Sequence, residues 1–154
     1  MSPAREQIHV LVVDDEEPAR HRLTDLLRKD SSVGRISEAE NGLVAVDKIL
    51  NERPGLVFLD VQMPELDGLG VIDAVGPTTM PFTIFVTAYD KHAVQAFEAN
   101  ALDYLLKPYS DERQNAAMAR AKRRLSERSV HEFGQRMLRM TSQAPNGWSA
   151  RFAS

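Results

Sequence analysis

Apolar and polar positions alternate along this chain in blocks. Ile8–Val13 (IHVLVV) is a short β-branched run and predicts a buried strand ending at Asp14-Asp15. Pro18 suits the first turn of a helix that buries Leu23, Leu26 and Leu27 and runs to about Lys29. Val33–Ala39 is a weaker strand, followed by the turn signal Asn41-Gly42. Leu43, Val46, Ile49 and Leu50 recur at helical spacing until Pro54 stops them. Leu56–Asp60 is the third strand. Leu69, Ile72 and Val75 mark a short helix broken at Gly76-Pro77. Phe82–Thr87 is the fourth strand, and Lys91–Asn100 reads as a helix burying Val94 and Phe97. Tyr104–Leu106 is the fifth strand, ending at Lys107-Pro108. Ser110 can cap a last helix whose first turn carries Asp111 and Glu112.

Strand and helix thus alternate five times with short connections. That order predicts an α/β domain: a five-stranded parallel sheet, doubly wound, with helices on both faces. In such sheets ligands bind at the carboxyl ends of the strands, where strands one, three and four meet. Those ends offer Asp14 and Asp15, then Asp60, then Thr87, with Lys107 after strand five.

Any one of these residues has an ordinary explanation. An Asp after a strand usually serves a turn or a cap, a Thr in a strand is a β former, and a Lys at a strand end is usually solvated. Their joint placement at successive strand ends is what carries chemistry. Three carboxylates in one crevice repel one another at low dielectric. Lys107 offsets one charge, and a divalent cation would offset two more. Oxygen donors select Mg²⁺, Mn²⁺ or Ca²⁺ over zinc, and Mg²⁺ favours few carboxylates plus a phosphate. Asp60 is the best nucleophile, because a carboxylate can take a phosphoryl group as an acyl phosphate.

The motifs VLVVDDE (10–16), LDVQMPELDG (59–68), VTAYD (86–90) and DYLLKP (103–108) resemble the receiver domain of bacterial two-component response regulators. The resemblance covers about residues 7–126. It implies the flavodoxin-like strand order 2-1-3-4-5. It also implies that Asp60 accepts a phosphoryl group from a sensor histidine kinase in a self-catalysed, Mg²⁺-dependent reaction. Such a protein is a switch rather than a turnover enzyme. Asp15, Asp60 and the Gln62 backbone carbonyl would hold Mg²⁺ directly, and Asp14 through water. Thr87 and Lys107 would bind the phosphoryl oxygens, Tyr104 matches the aromatic switch residue, and a cis peptide is expected at Lys107-Pro108. The stretch 85–110 is most similar to receivers of the LytR/AlgR type, which precede a LytTR DNA-binding domain. The effector domain of about one hundred residues that the resemblance leads one to expect is not here. It is expected to be an excised receiver or a stand-alone relay, with any DNA contact made by the absent domain.

Composition adds limits. The 154 residues suit one domain and an extension, no apolar run approaches the roughly 20 residues of a membrane span, and there is no cysteine. The polar MSPAREQ start has no secretory signal character. A cytoplasmic protein is expected, with no membrane partner. The net charge of −3 conceals a split: residues 1–110 carry 18 acids against 10 Lys/Arg, and 111–154 carry 4 against 9. Residues 127–154 read as a helical linker and tail. Val130, Phe133, Met137 and Met140 recur there at helical spacing and predict an interface more than a nucleic-acid surface. Homodimerisation is expected through the face made by the 91–100 helix, strand five and the helix after Ser110. After Thr141 the composition predicts a mobile end, in which Trp148 has no assigned role. A phosphohydrolase working through aspartyl phosphate is the rival from another class. Enzymes of the haloacid-dehalogenase type place a second Asp two residues after the nucleophile, and here that position is Gln62.

Overall fold

The computed structural model describes residues 7–88 and 101–142. The helix expected at Lys91–Asn100 and the end of the chain after Ser142 lie outside the described residues. The elements are β1 (Ile8–Val13), α1 (Glu17–Arg28), β2 (Val33–Ala39), α2 (Gly42–Glu52), β3 (Leu56–Asp60), α3 (Gly68–Val75), β4 (Phe82–Thr87), β5 (Ala101–Leu106) and α4 (Asp111–Ser142). The five strands form one sheet in the order β2-β1-β3-β4-β5, and every pairing is parallel.

Strand side chains alternate between faces, and the core divides accordingly. Leu11, Val13, Val57, Leu59 and Phe85 pack on one face with Ala45 and Ile49 of α2 and Val71, Ile72 and Val75 of α3. Val10, Val12, Leu56, Phe58, Ile84 and Val86 pack on the other with Leu23 and Leu27 of α1 and Ala117, Met118 and Ala121 of α4. Because both faces are covered, the central strands read as unbroken apolar runs. The sheet is doubly wound and flavodoxin-like, as expected.

Three details depart from the pattern read along the chain. Leu43 and Leu50 are 61% and 46% exposed; of the expected stripe α2 buries Ile49, and Gly42 and Ala45 are buried in place of the two leucines. The small residues face inward because α2 runs close to the loop before α3: a Cβ on Gly42 would collide with the Leu66 backbone oxygen. Leu69 is likewise exposed, at 40%, while Val71, Ile72 and Val75 are buried. β5 begins at Ala101, three residues earlier than Tyr104. Asp103 is a poor strand residue, but here Arg113 of α4 grips its carboxylate in a two-armed pair at 3.0 and 2.6 Å. Burial raises the Asp103 pKa, yet the Arg113 hydrogen bonds, the Tyr104 N–H and the charges of Arg113 and Arg120 together outweigh that and leave it lowered.

The contacts divide the chain into two units, one through Ala121 and one from Lys122. In the first, Ser110 Oγ accepts the Arg113 N–H at 3.1 Å, the cap expected for α4. In the second, the described residues are the later turns of α4. Val130, Phe133, Met137 and Met140 are all exposed there. Among the described residues no helix is long and apolar enough to cross a membrane.

Gly42→Ala tests the close approach of α2. Its added methyl meets backbone, which cannot rotate away, so the variant is expected to lose about 1–3 kcal/mol in urea unfolding. Unchanged stability would show that the gap opens freely.

Candidate phosphoacceptor site

Each strand delivers its residue through its own geometry. β1 ends at Val13, and the next residue, Asp14, still belongs to the sheet edge: its N–H donates to the Ala39 carbonyl at 3.2 Å. Its Oδ1 accepts the Glu16 N–H at 2.9 Å, which turns the chain into α1. Asp60 is the last residue of β3 and pairs with Val86 of β4. Its Oδ1 accepts the Gln62 N–H at 3.0 Å. Gly68 at the start of α3 sits against this turn, where a Cβ would lie 2.8 Å from the Asp60 backbone oxygen. β4 ends at buried Thr87, whose carbonyl accepts the Lys107 N–H at 2.8 Å. The Lys107-Pro108 peptide is cis, as the resemblance implied.

The result is one acidic pocket. Carboxylate oxygens of Asp14, Asp15 and Asp60 lie within 4.8 Å of one another. Asp14 and Asp60 are each only 4% exposed, and Asp15 is exposed. Lys107 Nζ donates to Asp14 Oδ2 at 2.8 Å and stands 3.5 Å from Asp60 Oδ2 and 3.6 Å from Glu16 Oε1. Burial pushes the Asp60 carboxyl from 3.8 up to about 6, and the charge of Asp14 adds to it. The Gln62 N–H and Lys107 oppose that rise, and Asp15 reinforces it more weakly. Burial disfavours the Lys107 ammonium, but its bond to Asp14 and the charges of Asp60, Asp14 and Glu16 outweigh burial, so its pKa is raised.

The arrangement therefore holds three carboxylates against one ammonium in a partly desolvated crevice. Its donors are all hard oxygens, so these residues fit a hard divalent cation, with Asp15 on the open side. Asp14, Asp15, Asp60 and Lys107 come together as the sequence predicted. Thr87 reaches the same edge, tied to Lys107 through the backbone. Tyr104 lies on β5 next to Phe85 of β4, half-buried and packed on the core cluster that contains Phe85.

Two neighbours went unread in the sequence. Glu16 approaches Lys107, and its only signal was its place in the acidic run after β1. Arg20 donates from Nη1 to the Asp14 backbone oxygen at 2.8 Å and from Nε to Glu38 at 3.3 Å. Nothing local announces that role, since one of its partners is a carbonyl and the other sits on β2.

A carboxyl whose pKa is higher folded than unfolded holds its proton more tightly when folded. Asp60 thus favours the fold below about pH 4, and that contribution is lost as pH rises through about 6. In metal-free buffer Asp60→Asn is expected to be more stable than wild type at pH 7.5 by about 1–3 kcal/mol. The gap should shrink toward pH 4. Denaturant melts of both proteins across that range, in chelator, check this; a gap independent of pH would contradict the assigned burial.

Comparison with known proteins agrees with this geometry. The profile of the response regulator receiver domain family matches residues 10–119. A response regulatory protein of Vibrio vulnificus is 46% identical over 121 residues, covering 79% of this chain and 48% of that protein. The transcriptional regulatory protein BtsR of Escherichia coli K12 is 37% identical over 123 residues, covering 80% and 52%. The chain thus spans about half the length of these relatives. Among solved structures, the response regulatory domain of MrkE from Klebsiella pneumoniae superposes with TM-score 0.70 at 30% identity, covering 78% of this chain and 99% of that one. The REC domain of AraT, a response regulator from Geobacillus stearothermophilus, gives 0.70 at 28% identity, covering 79% and 98%. With its sheet order, its acidic pocket and these matches in agreement, the chain belongs to the response regulator receiver domain family.

Proposed function

We infer that this chain is a phosphorylation switch in which Asp60 is the phosphoacceptor. The observation that carries the reading is the position of Asp60: a buried carboxylate at a strand end, 3.5 Å from the Lys107 ammonium and within reach of two further acids. An Asp60 oxygen would form the new P–O bond as the P–N bond of a kinase phosphohistidine breaks and the imidazole leaves.

Asp15, Asp60 and the Gln62 carbonyl would hold Mg²⁺, with Asp14 acting through water. The ion would supply charge neutralisation for the incoming phosphoryl oxygens. Lys107, already the partner of Asp14, supports the same role from the protein side. Thr87 would donate its hydroxyl to a phosphoryl oxygen. Because its carbonyl is bonded to the Lys107 N–H, any shift of Thr87 pulls on the end of β5. Tyr104 on that strand would move with it as the switch residue.

The output would be pairing or effector contact on the face that includes β5 and α4. The likeness to the transcriptional regulatory protein BtsR supports transcriptional control in a longer protein, with DNA contacted by a segment outside this chain. The motif stretch 85–110 supports the LytR/AlgR type. Residues 7–126 would be the receiver and 127–154 the linker. The phosphohydrolase reading has no support at the site, because Gln62 stands where that chemistry needs an acid.

Intact mass after treatment with acetyl phosphate and Mg²⁺ is expected to show one added phosphoryl group. Asp60→Asn or omission of Mg²⁺ should abolish it, and Lys107→Ala should slow it at least tenfold. Thr87→Ala should still be labelled but should lose any phosphorylation-dependent change in oligomeric state. Labelling of the Asp60→Asn chain at the wild-type rate would remove Asp60 from the role.

A further inference from the structure

The second unit carries an apolar stripe that the phosphoacceptor reading leaves unused. In α4, Val130, Phe133, Met137 and Met140 are 69%, 60%, 47% and 62% exposed. Their spacing is 3, 4 and 3 residues, the a-d-a-d pattern of two heptads. At 100° per residue the four fall within an arc of about 80°. That is narrower than the face a helix lays on a sheet or a lipid surface, and it is the width of a two-helix seam. Leu138, 70% exposed, falls outside the arc and serves as an internal contrast.

The charges choose among the helices that could cover this seam. Lys122 to Ser142 holds six Lys/Arg and two acids, so an indiscriminate second copy would be repelled. But Arg124, Arg128 and Arg139 occupy the outer b, f and c positions, away from the seam. Arg128 and Arg124 face Glu132 and Glu127 along their own helix, at 3.0 and 3.8 Å. The flanking e and g positions hold Lys122, Glu127, Ser129, Gly134 and Arg136. In a parallel pair each g position meets the e position five residues on in the other helix. Lys122 then faces Glu127 of the second copy, twice by symmetry, and Arg136 faces the uncharged position 141. In an antiparallel pair built on the same four core positions, Arg136 meets its own copy and Glu127 has no cation from the second helix, keeping only Arg124 of its own. Arg123 falls at an a position, so the apolar seam starts only at Val130, and a long side chain there must bend outward. Gly134 at an e position meets nothing within 4 Å of its missing Cβ, which leaves room for a close neighbour.

From this pattern we propose that residues 122–140 form a short parallel, in-register coiled coil with a second copy of this chain. The seam is made by Val130, Phe133, Met137 and Met140 and is preceded by Lys122–Glu127 pairs between the copies, beside the polar core positions Arg123 and Ser126. It does not depend on Asp60 or on a phosphoryl group. Two heptads make it weak, with a dissociation constant on the order of 100 micromolar.

The test is sedimentation equilibrium on the full, unphosphorylated chain from about 10 micromolar to 1 millimolar. Wild type should dimerise reversibly. Met137→Glu should weaken this more than tenfold, and Leu138→Glu should leave it unchanged. Both sites are exposed, so neither variant threatens the fold. Lys122→Glu and Glu127→Lys should each weaken pairing about threefold, and the double exchange should restore it. Because the sequence has no cysteine, Met137→Cys gives each chain a single thiol. It should form a disulfide dimer under mild oxidation. A monomer at every concentration would overturn the proposal, as would a dimer equally tolerant of Met137→Glu and Leu138→Glu. Cross-linking of Met137→Cys only to Phe133→Cys chains would overturn the parallel register. Asp60→Asn should behave as wild type throughout, so failure of the phosphoacceptor reading leaves this result intact.

Discussion

The site depends on an electrostatic conflict. Asp14 and Asp60 are almost fully buried at neighbouring strand ends, and a single ammonium stands between them. Water is the usual remedy for such repulsion, and burial removes most of it. The fold must therefore hold the carboxylates in place by force of packing. It does so with a sheet whose central strands are covered on both faces, so that β1 and β3 cannot slide apart without opening a core. The raised pKa of Asp60 is the mark of that enforced proximity. A pocket in this condition gains from any cation that enters and from any reaction that replaces a bare carboxylate by a better-neutralised group.

The same conflict explains how a local event could be felt elsewhere. Lys107 is bonded to Asp14 by its side chain and to Thr87 by its backbone. It therefore joins the ends of β1, β4 and β5 in one set of contacts. A phosphoryl group on Asp60 would offer Lys107 a stronger partner than Asp14. The group also adds roughly two negative charges to a buried site. Any movement that followed would pass first into β5, whose Asp103 is clamped to Arg113 at the start of α4. Coupling then needs only two arrangements of this strand end with different partner affinities.

Much of this was legible in the sequence because burial and chemistry change abruptly at strand ends. VLVV followed by DD, and VFL followed by D, cannot be read as uniform core or uniform loop. What escaped reading depends on tertiary approach. Leu43 and Leu50 look like core residues, yet α2 turns its small side chains inward because Gly42 lies against the Leu66 carbonyl, a contact no local pattern encodes. The early residues of β5 were hidden by Asp103, whose place in a strand is made tolerable by an arginine ten residues later. Arg20 was invisible for a similar reason, since it is held by a backbone oxygen. Thr87 and Tyr104 could be placed on their strands, but periodicity carries no information about movement.

A weak helical seam has consequences that a strong one would not. Two chains held permanently together would present the receiver surfaces to each other in every state, and phosphorylation could add little. Two chains that never met would need the receiver surfaces to supply all the binding energy. A seam of four apolar layers falls between these limits. It would make a second contact, between receiver surfaces, intramolecular once the first had formed, at an effective concentration reaching about millimolar for a short connection. A modest change in receiver affinity is then enough to shift the population of doubly joined pairs. On this argument the basic outer positions of α4 have their own reason. They keep the helices soluble, while Arg123 at a core position ends the apolar seam on one side and the pairing rests on Val130, Phe133, Met137 and Met140.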